Sequence, residues 1–156
     1  MDWKEFTQRY EGIKARLYRT ALLYLGDASA AEEALDETVC KALHSCRGLR
    51  QPEYFNTWIT RILLNVCADE RKRKKKLMNL SDIPEIAAES YDSLPLRDAV
   101  ARLPKELSSV VILRYFSGYT LKEAADILDI PQGTAATRQR RALALLRLDL
   151  GEEEEA

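Results

Sequence analysis

Residues 120–141 carry the pattern that decides the fold, and they read TLKEAADILDIPQGTAATRQRR. Thr120 and Glu123 form a capping box, in which the threonine oxygen and the glutamate side chain satisfy free amides at a helix start. The helix that begins there breaks at residues 129–131 and patterning resumes at Gln132. Two helices joined by a three-residue turn, the second rich in arginine, predict a DNA-binding helix-turn-helix.

The second helix of this motif runs to about Leu148 and offers two kinds of side chain to DNA. Its first residues are placed to contact base edges, and its later arginines are suited to phosphates. The predicted DNA contacts are Gln132, Thr134, Thr137, Arg138, Arg140 and Arg141. Small residues at 133, 135 and 136 are expected to let the backbone approach the major groove. An ordinary helical hairpin with solvated arginines is the alternative.

Upstream of this motif, apolar residues at helical spacing resume at residue 94 and continue on both sides of Pro104. The β-branched pair Val110-Val111 favours a strand locally, but no other segment offers a partner strand. Residues 77–93 lack periodicity and contain Pro84, serines and acids, which predicts a flexible linker. We therefore predict a C-terminal helix-turn-helix domain of four helices over residues 94–150, followed by an acidic tail at 151–156.

A third helix of the N-terminal half has an apolar stripe and leads into six consecutive basic residues, 71–76 (the basic run). A polar row lies opposite the stripe, formed by Thr57, Arg61, Asn65, Ala68 and Lys72. Such a row can meet bases while the basic run neutralises phosphates of a nucleic-acid strand. Trp58 could stack on a base, although its place in the stripe favours core packing. A solvated helix end is the alternative for the basic run.

The second helix of the N-terminal half carries an acidic face, Glu33, Asp36 and Glu37, opposite apolar residues. Such a face cannot hold DNA, so it either faces water or docks a basic protein partner. A first amphipathic helix precedes it and is closed by Gly26. The sequence thus predicts an all-α protein in which an N-terminal bundle of three to four helices spans residues 1–76.

The 156 residues include 24 basic and 25 acidic side chains, so the net charge of −1 hides separate basic and acidic segments. No apolar stretch approaches the roughly 20 residues that span a bilayer, so no membrane insertion and a cytoplasmic location are expected. Cys40, His44 and Cys46 are close in sequence, but no fourth ligand is near, and neither a metal nor another cofactor is predicted.

Taken together, these motifs resemble the extracytoplasmic-function (ECF) type of the sigma-70 family of RNA polymerase sigma factors. Three stretches in the family's order carry the resemblance. They are residues 31–37, AEEALDE; residues 55–59, FNTWI, with Ile62, Asn65, Asp69 and the basic run; and residues 103–142, with Leu103-Pro104, Leu113-Arg114-Tyr115, Gly118, Thr120, Glu123-Ala124-Ala125, Gly133-Thr134, Arg138 and Arg141-Ala142.

The resemblance implies a function and partners. The acidic face would bind the clamp helices of the largest polymerase subunit, and the C-terminal domain would bind the flap of the second-largest subunit. Residues Thr57, Arg61, Asn65, Lys72 and Arg73 would contact the minus-ten promoter element, and the helix-turn-helix the minus-thirty-five element. The regions would be sigma region 2 at 1–76 and region 4 at 94–150, with an anti-sigma factor as inhibitor.

The sequence departs from the family pattern at several positions. Asp36 replaces a usual glutamine, Lys72 an arginine and Asp129 a turn glycine, which aspartate can mimic in a left-handed conformation. The stretch Ala135-Ala136-Thr137 replaces a usual Val-Lys-Ser, and Gln139 an apolar residue. These changes bear on individual contacts rather than on the class of protein.

Three alternative functions fit the sequence less well. A response-regulator output domain shares the helix-turn-helix pattern, but its receiver would need alternating strands that the N-terminal half lacks. An enzyme is not predicted, since the sequence has one histidine, no phosphate-binding glycine loop and no arranged nucleophile and base, so no catalytic residue is assigned. A helical adaptor that binds only protein would leave both basic clusters unexplained.

Overall fold

The computed structural model describes residues 1–81 and 95–150, and every regular element within those ranges is helical. The all-α prediction is therefore confirmed. The α-helices are α1 (Trp3–Leu25), α2 (Ala28–Ser45), α3 (Phe55–Ser81), α4 (Pro95–Arg102), α5 (Lys105–Val111), α6 (Leu121–Leu128) and α7 (Gln132–Leu150). The chain divides into two compact units, an N-terminal unit (Met1–Glu89) and a C-terminal unit (Ser90–Ala156).

Aspartates cap the first two helices of the N-terminal unit. The Asp2 carboxylate accepts a hydrogen bond from the Glu5 amide at 2.8 Å, and Asp27 accepts one from the Ala30 amide at 3.0 Å. Gly26 separates the two helices with φ 70°, a left-handed conformation that glycine adopts without strain. The predicted end of the first helix at this glycine is confirmed.

The three long helices of the N-terminal unit pack around a common apolar core. Leu17 of α1 and Ile59 and Leu63 of α3 are almost entirely buried. Phe6 and Phe55 meet edge to face with ring centroids 5.6 Å apart, which joins α1 to the start of α3. This core fixes which faces of α2 and α3 remain exposed.

Helix α3 is longer than the sequence pattern predicted. It runs for 27 residues to Ser81 and so includes the first five residues of the predicted linker, 77–81. Basic side chains favour helix, and no glycine or proline interrupts the sequence before Pro84. The rest of the predicted linker and the acidic tail at 151–156 lie outside the described residues.

Within residues 95–150, the C-terminal unit contains four α-helices, and α7 packs against α4, α5 and α6. Val110 and Val111 are buried within α5 rather than in a strand. A π-helical turn from Ile112 to Phe116 follows α5, a feature that the sequence pattern did not predict. Helices α6 and α7 are the predicted helix-turn-helix.

Candidate nucleic-acid and protein interfaces

The acidic face lies on the exposed side of α2. Glu33, Asp36 and Glu37 are all exposed, while Ala31, Ala34 and Leu35 of the same helix are buried. The apolar stripe of α2 therefore fixes the acidic face toward solvent, as the spacing predicted. Glu37 is partly neutralised, because its carboxylate lies 3.4 Å from the Lys41 ammonium one turn along the helix.

Two of the three acids, Asp36 and Glu37, line separate grooves. Asp36 lines a groove between α1 and α2 together with Tyr10 and Tyr18. Burial, followed by the negative charges of Asp36 and Glu11, raises the pKa of Tyr10. The acidic face is therefore bordered by aromatic side chains on its α1 side.

On its other side, the acidic face meets α3. Glu37 lines a second groove together with His44, Ile62 and Asn65. The groove brings a predicted polymerase contact and a predicted minus-ten contact to the same surface. A partner on α2 and a nucleic acid on α3 would therefore approach neighbouring side chains.

The polar row of α3 lies opposite its buried stripe of Phe55, Ile59, Leu63 and Val66. Arg61, Asn65 and Lys72 are exposed, and Thr57 and Ala68 are half-buried. Trp58 is half-buried, with its ring 5.8 Å from that of Phe55, so it packs against the core stripe. The structure thus presents the predicted row as one surface.

Arg73, one of the predicted minus-ten residues, forms an ion pair within its own helix. Its terminal nitrogen lies 2.8 and 2.6 Å from the two carboxylate oxygens of Glu70. Sequence reasoning missed Glu70, although its spacing of three residues from Arg73 is a known signal for a helical ion pair. The same reasoning missed Lys41, which lies four residues after Glu37.

The helix-turn-helix is built by local hydrogen bonds. Thr120 and Glu123 form the predicted capping box, with bonds of 3.1 and 2.9 Å. Asp129 ends α6 with φ 59° and ψ 48°, the left-handed conformation expected of a glycine substitute. The Ile130 amide then donates to the Ala125 carbonyl at 3.0 Å. These bonds fix where α7 begins.

One expectation for α7 is wrong. Ala135 does not lie on the DNA-facing surface, because its side chain is completely buried, as are those of Ala124 and Ala142. These small residues allow close helix packing within the unit. Gly133 is exposed with open space around it, so the expected close approach of DNA to the backbone rests on this residue.

The six predicted contacts on α7 fall into two groups. Gln132, Arg140 and Arg141 are exposed, while Thr134, Thr137 and Arg138 are half-buried. The Thr137 hydroxyl donates to the Gly133 carbonyl at 3.1 Å and accepts from Arg140 at 3.4 Å. Thr137 therefore orients a neighbouring arginine as well as presenting its methyl group.

The cysteine and histidine side chains near residue 44 point to different surroundings. Cys40 is exposed and Cys46 is buried. The His44 Nδ1 atom lies 2.8 Å from the Cys40 carbonyl oxygen, so this nitrogen is engaged by backbone. Within residues 1–81 and 95–150, no three His, Cys, Asp or Glu side chains are grouped as metal ligands.

Within the described parts of the chain, no helix combines the length and the apolar character that crossing a bilayer requires.

Two family models match the chain in succession. The model for sigma-70 region 2 matches residues 10–77, and the model for sigma-70 region 4 matches residues 93–146. The first range contains the acidic face, the polar row and the basic run, and the second contains the helix-turn-helix. With helices alone in the described N-terminal residues, the response-regulator alternative is not favoured.

Individual relatives cover nearly the whole chain. The RNA polymerase sigma factor SigV of Bacillus subtilis (strain 168) is 30% identical over 146 residues, covering 90% of this chain and 88% of its own. The ECF RNA polymerase sigma factor SigM of Mycobacterium tuberculosis (strain H37Rv) is 26% identical, covering 96% and 79%.

Among solved structures, the sigma factor RpoE from Bartonella quintana, in complex with the anti-sigma factor NepR, shares the fold. Its TM-score is 0.79 at 22% identity, covering 97% of this chain and 99% of that one. The order of the two matched regions, the relatives and the fold agree. The chain belongs to the sigma-70 family of RNA polymerase sigma factors, in its ECF group.

Proposed function

We propose that this chain directs core RNA polymerase to specific promoters and helps to open the DNA there. The observation that carries the proposal is that one chain holds both sigma-70 regions, with acidic, basic and helix-turn-helix surfaces on separate elements. Such a factor acts by recruitment and needs no covalent chemistry. Its place of work is the cytoplasm, where polymerase and promoter DNA meet.

Polymerase binding belongs to α2 in this proposal. Glu33, Asp36 and Glu37 bind the clamp helices of the largest polymerase subunit, because three exposed carboxylates complement a basic surface. The C-terminal unit binds the flap of the second-largest subunit. Charge complementarity between the acidic face and its partner speeds encounter and sets orientation.

Promoter binding belongs to α3 and α7. Thr57, Arg61, Asn65, Lys72 and Arg73 contact the minus-ten element, with the polar row meeting unpaired bases and the basic residues meeting phosphates. Helix α7 meets the minus-thirty-five duplex through Gln132, Thr134, Thr137, Arg138, Arg140 and Arg141. Region 2 then occupies residues 1–76 and region 4 residues 94–150, with 77–93 linking them.

An anti-sigma factor is the proposed inhibitor. The Bartonella quintana sigma factor of the same fold was solved bound to one. Such a partner would act by covering surfaces that polymerase needs, and the acidic face is one of these.

A competition titration tests the polymerase contact: unlabelled chain, wild type or variant, displaces labelled wild-type chain from core polymerase. The full chain carrying Asp36→Lys or Glu37→Lys should compete at least tenfold less well than wild type, because each variant places a positive charge against a basic surface. Glu106→Lys, with the same charge change at an exposed position of α5, is the matched control. Equal competition by all variants would contradict the assignment of the acidic face.

A further inference from the structure

The surroundings of Arg73 set it apart within the basic run. Its side chain is 66% exposed, yet one guanidinium nitrogen contacts both carboxylate oxygens of Glu70, at 2.6 and 2.8 Å. Contacts this short between opposite charges are charge-assisted hydrogen bonds, which are stronger than neutral ones. The Glu70 side chain is only 24% exposed, so the carboxylate has less freedom than the arginine that it holds.

The acidic face of α2 adds to this attraction. The hydrogen bond that Arg73 donates to Glu70 and then the charge of Glu70 raise the pKa of Arg73, and the charges of Glu33 and Glu37 contribute further in the same direction. Arg73 is therefore attracted to carboxylates on two helices of its own protein.

The lysines of the basic run offer a contrast. Lys72, Lys74 and Lys76 are exposed, and none of them forms an ion pair with a residue in the described parts of the chain. These lysines can meet a phosphate without competition from an ion-paired carboxylate, whereas Glu70 offsets part of the charge that Arg73 presents. The free energy needed to bring a cation to a DNA phosphate therefore differs between Arg73 and the neighbouring lysines.

We propose that Glu70 is a positioning residue that withholds Arg73 from DNA in the free chain. Its carboxylate engages one guanidinium nitrogen and offsets the positive charge that a phosphate would meet, so Glu70 competes with DNA for Arg73. The inference rests on the proposed function, in which α3 binds the minus-ten strand. Loosely bound DNA leaves the ion pair intact, while a strand fixed by other contacts presents a phosphate at high local concentration and displaces Glu70.

A double-mutant cycle on the full chain tests the proposal. The four proteins are wild type, Glu70→Gln, Arg73→Gln and the double variant, and the probe is a fluorescent single-stranded oligonucleotide titrated over a salt series. With Arg73 present, Glu70→Gln should raise affinity about two- to fivefold, the range for loss of an exposed competing ion pair. It should also steepen the dependence of log affinity on log salt by about 0.7, because one more phosphate is neutralised.

The control variant is Glu106→Gln, which removes the same charge from an exposed position of α5. In the Arg73→Gln background, Glu70→Gln should change affinity no more than this control does. An equal gain in both backgrounds would overturn the proposal, since Glu70 would then act only by general repulsion. Unchanged affinity in the Glu70→Gln variant, or no oligonucleotide binding by any variant at low salt, would overturn it too.

Transcription separates this inference from the proposed function. If the cycle fails while the wild-type chain still directs core polymerase to promoters, the role of Glu70 is wrong and the sigma function stands. Circular dichroism of each variant checks that α3 remains helical, and the near-isosteric change of glutamate to glutamine is chosen for this reason.

Discussion

Single residues decide where the helices of the DNA-binding motif begin and end. Thr120 and Glu123 satisfy amides at the start of α6, and Asp129 ends it in a left-handed conformation. Both features could be predicted from the sequence because capping depends on residues only a few positions apart. The burial of Ala135 could not, because it depends on which helices α7 meets in the folded unit.

Removal of the cap should loosen α6. Thr120→Ala leaves the Glu123 amide without its side-chain acceptor, which should cost about 1 kcal/mol of local stability. Hydrogen exchange of the α6 amides in the full chain, followed by mass spectrometry, should become correspondingly faster. Thr7→Ala is the control, because Thr7 lies within α1 and its hydroxyl bonds only to the Trp3 carbonyl. Equal exchange of α6 in wild type and Thr120→Ala would contradict the role of the cap.

Burial protects the Cys67 thiol from modification by thiol reagents. Desolvation raises the pKa of Cys67 from its ordinary value of 9.0 to about 12, with the Arg71 charge opposing and the Glu70 charge adding to the shift. At pH 8 a thiol reagent should modify exposed Cys40 first and reach Cys67 only after unfolding. Comparison of Cys40→Ser with Cys67→Ser identifies the reacting residue, and rapid modification of Cys67 in the folded chain would be inconsistent with this.

The raised pKa of Cys67 makes the free energy of unfolding depend on pH in the alkaline range. Between about 9 and 12 the unfolded thiol has lost its proton while the folded one retains it, so the unfolded state binds fewer protons. The free energy of unfolding should therefore fall as pH rises through that window and be unaffected by this group below it. Denaturant titrations of wild type and Cys67→Ala should show a steeper alkaline decline for wild type.

At the scale of elements, the sequence predicts the two faces of α3 but not where the helix ends. Its apolar stripe and polar row follow from helical spacing, and the structure places both on the predicted faces. The sequence does not predict its extension to Ser81, because the apolar periodicity ends near residue 77 while the helix continues. The π-helical turn at 112–116 could not be predicted, because it is defined by backbone hydrogen bonds five residues apart and carries no residue signal of its own.

Helix α7 should separate base recognition from phosphate binding. Thr134→Ala should alter the preferred base at one position of the minus-thirty-five element, because a contact to a base edge carries sequence information. Arg140→Gln should weaken binding to all sequences alike and reduce the salt slope by about 1. Binding to a duplex library measures both, with Lys105→Gln of α5 as a charge control.

The opposite pattern in that library would reverse the assignment. If Arg140→Gln changed the preferred sequence and Thr134→Ala did not, Arg140 would be the base contact. The bond from Arg140 to the Thr137 hydroxyl supports the phosphate assignment, because it directs the guanidinium along the helix surface.

At the scale of the whole molecule, the net charge of −1 says little, and the arrangement of charge says more. Glu37 of the acidic face on α2 and Asn65 of the polar row on α3 line one groove, so the surfaces proposed for two partners are neighbours. The sequence predicted each surface because each is a periodic pattern on one helix. Their adjacency required the packing of the helices, whereas the pairing of Arg73 with Glu70 within α3 could have been predicted from their three-residue spacing.

The family could be predicted from the sequence because three motifs occur in one order at fitting separations. Each motif alone has an ordinary structural alternative, such as a solvated basic helix end or a plain helical hairpin. The roles of individual residues do not follow from the family alone. At Asp36, Lys72 and Ala136 the chain departs from the family's usual residues, which changes the side chains that partners would meet.

Transcription from a promoter library by core polymerase, with and without this chain, tests the central claim most directly when every transcript start is sequenced. The account predicts new starts that appear only with the chain and share two upstream elements, one near minus ten and one near minus thirty-five. No added transcription, despite DNA binding by the chain, would contradict the account and indicate a DNA-binding protein that does not direct polymerase.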